Sequence, residues 1–137
     1  MSQRTLGPDT TPFDVLGHDA AVALAKRFYD YMDDNEPALV AVHRTDEAGK
    51  VAPIVRERFS AFLVEWLGGP DVYSSVNGHP RLRMRHARVP IGIELRDAWL
   101  RCMNAALDDP SVDDDVRGYL RRRFAEVADF LRNRAEP

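Results

Sequence analysis

The chain has 137 residues, 19 basic and 22 acidic side chains, and a formal net charge of -3. That length suits one domain burying roughly two thirds of the surface of its unfolded form, and a lone cysteine, Cys102, excludes a disulfide scaffold. The mild acidity gives no reason to expect nucleic acid as a partner, and the longest apolar runs are too short to cross a bilayer.

Residues 1–12 read as a flexible N-terminal extension, 13–134 as the folded domain and 135–137 as a tail. The first ten residues carry Arg4 and Asp9 but no apolar core, so they do not resemble a signal peptide, and a cytoplasmic protein is expected. Strand-like alternation is scarce, and the chain reads as all helical. Asp19 caps a predicted helix over 20–32, with Ala21, Leu24, Ala25, Phe28, Tyr31 and Met32 on one apolar face and Tyr29 at its edge. Asn35-Glu36-Pro37 opens a short helical piece over 37–42, and 43–50 form a polar loop.

A helix beginning near Val51 or Pro53 and running to Leu67 turns Val55, Phe59, Phe62, Leu63 and Trp66 inward and Arg56, Arg58 and Glu65 outward. Gly68-Gly69-Pro70 stops it, and 71–78 read as a loop. A short helix over 80–86 precedes Pro90. The next helix, 93–107, carries a stripe of Leu95, Ala98, Trp99, Cys102, Met103, Ala106 and Leu107. The last, 111–133, has Asp113, Asp114 and Asp115 in its first turn and buries Val116, Tyr119, Leu120, Phe124, Val127, Ala128 and Leu131.

Chemistry concentrates around Gly78 to His86, where Arg81, Arg83, Arg85 and, just beyond, Arg88 surround a histidine at a helix end. His86 could offer one ring nitrogen to a metal while the other donates to a free carbonyl. Spacing alone favours an exposed, helix-capping histidine over such a ligand. The arginines suit an anionic ligand, a phosphate patch or a solvated face, and neighbouring helical residues diverge, so at most two can reach one ligand. Most of the remaining arginines read as compositional. Tyr29 and Trp99 are polar donors on apolar faces, where core packing is the ordinary reading. His43 ends the short third helical piece and fits a pocket or open water about equally. His18 and His79 read as capping and turn residues, and Cys102 as core. There is no Gly-rich phosphate loop, cysteine pair or nucleophile elbow.

Taken in order, Arg27-Phe28-Tyr29, Trp66-Leu67-Gly68-Gly69-Pro70, Gly78 to His86, Pro90-Ile91-Gly92 and Arg96 to Met103 resemble the group II truncated globins from about Phe13 to Arg134. The resemblance implies a two-over-two helical sandwich around haem b with His86 as proximal iron ligand and Arg85 at a propionate. It implies that Tyr29 and Trp99 face the gas ligand, with His43 as a third polar group. Phe28, Val55, Phe59, Phe62, Leu63, Met84 and Phe124 would contact the haem. An apolar Val55 leaves no distal histidine of the myoglobin kind. The chain departs from the family in 44–52, which is longer and more polar than usual and bears on the orientation of His43 and the register of Val55.

The expected function is reversible binding of dioxygen and other diatomic ligands such as carbon monoxide and nitric oxide. Nitric oxide dioxygenation or peroxide reduction would need an electron donor that the sequence does not identify. Neither a membrane nor nucleic acid is expected as partner, and the chain is expected to be a monomer or weak homodimer. A competing reading is a haem-free, globin-like helical module that presents its arginines to an acidic partner.

Overall fold

A computed structural model describes residues 5–79 and 91–132. The expected helix over 80–86, with Met84, Arg85 and His86, lies outside the described residues, as do Arg81, Arg83 and Arg88. Seven helices are present among the described residues: α1 (Pro12–Leu16), α2 (His18–Asn35), α3 (Pro37–Val40), α4 (Pro53–Trp66), α5 (Ser74–Asn77), α6 (Ile93–Leu107) and α7 (Asp114–Leu131). No strand occurs among them, only two isolated backbone bridges, Gly7 with Thr10 and Thr45 with Val51.

Helix α2 is the hub. It packs against α4 on one side and α6 on the other, while α7 packs on α6. Its buried face is Ala21, Leu24, Ala25, Phe28, Tyr29 and Met32. Tyr31, expected on that face, is only partly buried, and Tyr29, expected at the edge, is 4% exposed. The reason lies across the interface: Phe28, Phe59 and the side chain of Arg56 enclose the Tyr29 ring. Completely buried Leu63, Met103, Leu107 and Leu120 knit the helices together, each such side chain stabilising the fold by roughly 1.5–3 kcal/mol.

Two short helices escape the periodicity analysis because neither is long enough to repeat an apolar face. Helix α1 starts at a capping box in which Asp14 N–H donates to Thr11 Oγ1 at 3.1 Å and Thr11 N–H to Asp14 Oδ2 at 3.0 Å. It docks on the end of α4, where Phe13 N–H donates to the Leu67 carbonyl at 2.9 Å. Gly68 and Gly69 make that approach possible. A Cβ on Gly68, whose φ is +109°, would stand 2.5 Å from the Thr11 Cβ, and one on Gly69 would stand 2.8 Å from the Phe13 ring. The pair therefore does more than stop a helix: it forms the seat of α1. Within the stretch expected as an extension, Leu6 packs against the core and Thr11 caps α1.

The second escaped helix, α5, replaces part of the loop expected over 71–78. Glu65 nucleates it by accepting from Ser74 N–H at 2.8 Å and from Ser74 Oγ–H at 2.5 Å. Glu65 is thus engaged with α5, not simply turned to solvent. Asp113 is the N-cap of α7, one step before its first turn, and accepts from the backbone of Asp115 and Val116.

Several arginines have specific structural partners. Arg27 donates to the Ala106 carbonyl and Arg117 to those of Leu107, Asp109 and Val112, so two guanidinium groups satisfy the carbonyls around the C-terminus of α6. Arg101 on α6 holds Glu36 at the start of α3 through two bonds of 2.6 and 2.8 Å.

Candidate functional site

Helices α2, α4, α6 and α7 enclose a cavity of about 430 Å³, within the range of small-molecule and cofactor sites. Its interior is aromatic and aliphatic. Val55, Phe59, Phe62 and Trp66 come from α4 at intervals of three and four residues, so one helical face supplies a whole wall. Trp99 of α6 and Phe124 of α7 form the opposite side, their ring centroids 5.6 Å apart.

Three polar side chains identified from the sequence converge on this apolar space: Tyr29, His43 and Trp99 all line it. The Tyr29 ring meets Phe28, Phe59 and His43 edge-on, with centroids 4.9, 5.3 and 5.9 Å away. Burial pushes its phenol well above the ordinary range, against the opposing effect of Arg56 and with a smaller push from Cys102, so the hydroxyl keeps its proton. Among the described residues it donates to no side chain or carbonyl, and the same holds for the Trp99 indole. An indole N–H can only donate.

His43 is oriented from below. Its Nδ1 lies 2.7 Å from the Leu39 carbonyl. A carbonyl can only accept, so Nδ1 carries a proton and donates to the Leu39 carbonyl, which fixes the orientation of the ring. The long polar loop after His43 closes on itself without displacing it: Asp46 Oδ1 accepts from Ala48 and Lys50, and Thr45 bridges to Val51.

The other sequence candidates divide into two groups. Val55, Phe59, Phe62 and Phe124 line the cavity. Phe28 and Leu63 stand behind the wall, Phe28 stacked on Phe59 at 4.9 Å and Leu63 wholly buried in the core. His18 lies on the surface beside Asp19, and His79 is also exposed. Cys102 is core, 0% exposed, its thiol pushed up to about 12 by burial and by Glu36, against the opposing effect of Arg101.

Sequence reasoning missed the arginines at the mouth. Arg44 and Arg58 line the cavity and are exposed at its rim, and among the described residues neither makes an ion pair. Arg58 could have been found, because it shares a helical face with Val55 and Phe62, three residues before and four after. Arg96, also at the cavity, is held by Asp97 and Asp129.

An apolar slot walled by aromatic rings, with cations at its mouth, fits a flat macrocycle that has an apolar body and an anionic edge. The bacterial-like globin family model matches residues 11–133. The chain belongs to the bacterial-like globin family. Among related globins it is 32% identical over 125 residues to the group 2 truncated hemoglobin YjbI of Bacillus subtilis, covering 91% of this chain and 90% of that one. Its fold matches the cold-adapted truncated hemoglobin of Pseudoalteromonas haloplanktis TAC125 with a TM-score of 0.82 and 38% identity, over 92% of this globin and all of the other. It also matches the truncated oxygen-avid haemoglobin of Bacillus subtilis, with a TM-score of 0.80 and 31% identity over 90% and 100% of the two chains.

The globin is thus a group II truncated haemoglobin with the two-over-two helical fold. Haem is its cofactor, and a diatomic gas its class of ligand. Membership favours this reading over the haem-free module. No described helix is long and apolar enough to cross a membrane.

Proposed function

We propose that this globin binds dioxygen reversibly in the pocket beneath Tyr29, His43 and Trp99, and takes carbon monoxide and nitric oxide at the same place. The observation that carries the reading is the pair of donors, the Tyr29 O–H and the Trp99 N–H, which line an apolar cavity and meet no protein acceptor among the described residues. Bound haem supplies the iron chemistry that captures the gas. The protein's own contribution is to exclude water with the rings of Phe59, Phe62 and Phe124 and to aim hydrogen-bond donors at the partial negative charge of a bound ligand.

His86 is proposed as the proximal ligand. It lies outside the described residues, but the chain on either side supports the placement, since Tyr73 before it and Ile91 after it both line the cavity. Met84 and Arg85, in the same stretch, are proposed to contact the haem. Arg58 and Arg44 join Arg85 as proposed partners of the haem propionates, and Arg58→Gln is expected to speed haem loss by about two- to fivefold, the range of an exposed ion pair. Haem transfer to an apo-globin acceptor measures this, and an unchanged rate would leave Arg58 without that role.

Strong donation to the ligand slows its release and suits chemistry on the ligand, such as nitric oxide dioxygenation or peroxide reduction, over bulk delivery. The relative described as oxygen-avid fits the same expectation. Stopped-flow measurement of the reduced, haem-loaded protein tests the proposal: dioxygen should bind reversibly and leave slowly, whereas rapid oxidation with no dioxygen form would refute reversible binding.

A further inference from the structure

Helical periodicity over 53–67 places Arg56 on the solvent side. The structure instead folds it over the pocket's central donor. Its Nη1 donates to Asp30 Oδ1 at 2.9 Å, its Nη2 to Asp33 Oδ2, and its Nε reaches the Val51 carbonyl at 3.4 Å. Asp33 is itself fixed, with only 4% of its side chain exposed and its second oxygen accepting from Val51 N–H at 3.0 Å. A planar guanidinium held along its edges by two carboxylates has little freedom to rotate. The guanidinium lies over the Tyr29 ring, with Cζ 5.6 Å from the ring centroid.

We propose that Arg56 is a positioning residue for the Tyr29 hydroxyl, a guanidinium clamp that fixes the phenol in the direction of the gas ligand. The inference rests on the proposed role of Tyr29 as a ligand donor. Asp30 and Asp33 lie one and four residues after Tyr29 on α2, while Arg56 belongs to α4, so the clamp ties the helix that carries the phenol to the helix that supplies one wall of the pocket. Phe28, Phe59 and His43 close other sides of the ring. A donor held in one direction loses little freedom when the ligand arrives. The nearby positive charge also stabilises the partial negative charge that develops on the phenol as its O–H is polarised, which strengthens donation.

A staple between α2 and α4 would show the same bonds, so the test needs an observable that a staple does not move. The haem-loaded protein is compared as wild type, Arg56→Met, Arg56→Lys, Tyr29→Phe and Tyr29→Phe with Arg56→Met, reading the C–O stretch of the carbon monoxide form, the dioxygen off-rate and Tm. Arg56→Met should split or broaden the C–O band and raise the off-rate about three- to tenfold, Arg56→Lys should recover part of both, and neither change should appear when Tyr29 is already Phe. A fall in Tm with band and off-rate intact would reduce Arg56 to a staple and overturn the proposal, as would an Arg56→Met effect that persists without the Tyr29 hydroxyl. If Tyr29→Phe alone changes nothing, the fault lies with the proposed role of Tyr29. Should Arg56→Met fail to fold because Asp33 is left buried and unpaired, Arg56→Met with Asp33→Asn takes its place in every comparison.

Discussion

Tyr29→Phe is expected to speed dioxygen release by about 10- to 100-fold while barely moving the melting temperature. The two halves of that expectation have separate causes. A hydrogen bond to an acceptor bearing charge is worth about 1.5–3 kcal/mol, and every 1.4 kcal/mol is about tenfold in a rate or equilibrium. The phenol retains its proton because burial disfavours its anion, so the group it presents is a donor. The ring itself, packed on Phe28 and Phe59, is preserved by Phe, and the hydroxyl leaves no stranded partner among the described residues. Trp99→Phe should act in the same direction by a smaller factor, since an indole N–H is less acidic than a phenol. Flash photolysis and stopped-flow mixing measure both variants, and off-rates unchanged in the two together would rule out the donor network.

His86→Ala is expected to abolish stable haem binding. Disturbing only the outer partners of a metal ligand costs about 10–100-fold in affinity, so removing the ligand itself should cost more. The purified variant, supplied with haem, should lack the strong absorption band at about 400 nm that haem proteins show. Adding imidazole should restore part of that band by occupying the space the side chain left. A variant that keeps the wild-type band and haem affinity would show that another residue is the ligand, and the reading of Gly78 to His86 would have to be abandoned.

The long helices were legible because each repeats an apolar face over several turns. Helix α6 occupies the expected 93–107, and on α7 Val116, Leu120, Phe124 and Ala128 are all buried. Tyr29, His43 and Trp99 stood out as polar groups on apolar faces or at a helix end, where periodicity alone favoured core packing or open water. The resemblance to the truncated globins pointed them at one ligand, and the structure brings them to one cavity. What stayed hidden depends on pairing between distant segments. Arg56 reads as a surface residue until Asp30 and Asp33 are seen across α2 and α4. Glu65 reads likewise until it meets the backbone of Ser74. The Gly68-Gly69 break was visible as a stop signal, yet its function as a seat for α1 requires the presence of Phe13 and Thr11.

The complete burial of Cys102 has a consequence outside the pocket. Its sulfur sits on the apolar stripe of α6, beside the Met103 that joins the same core, and its proton is held up to about 12. Oxidants generated near a gas-binding site meet a thiol that is both shielded and un-ionised. Oxidation of this thiol therefore requires the helix packing to open first.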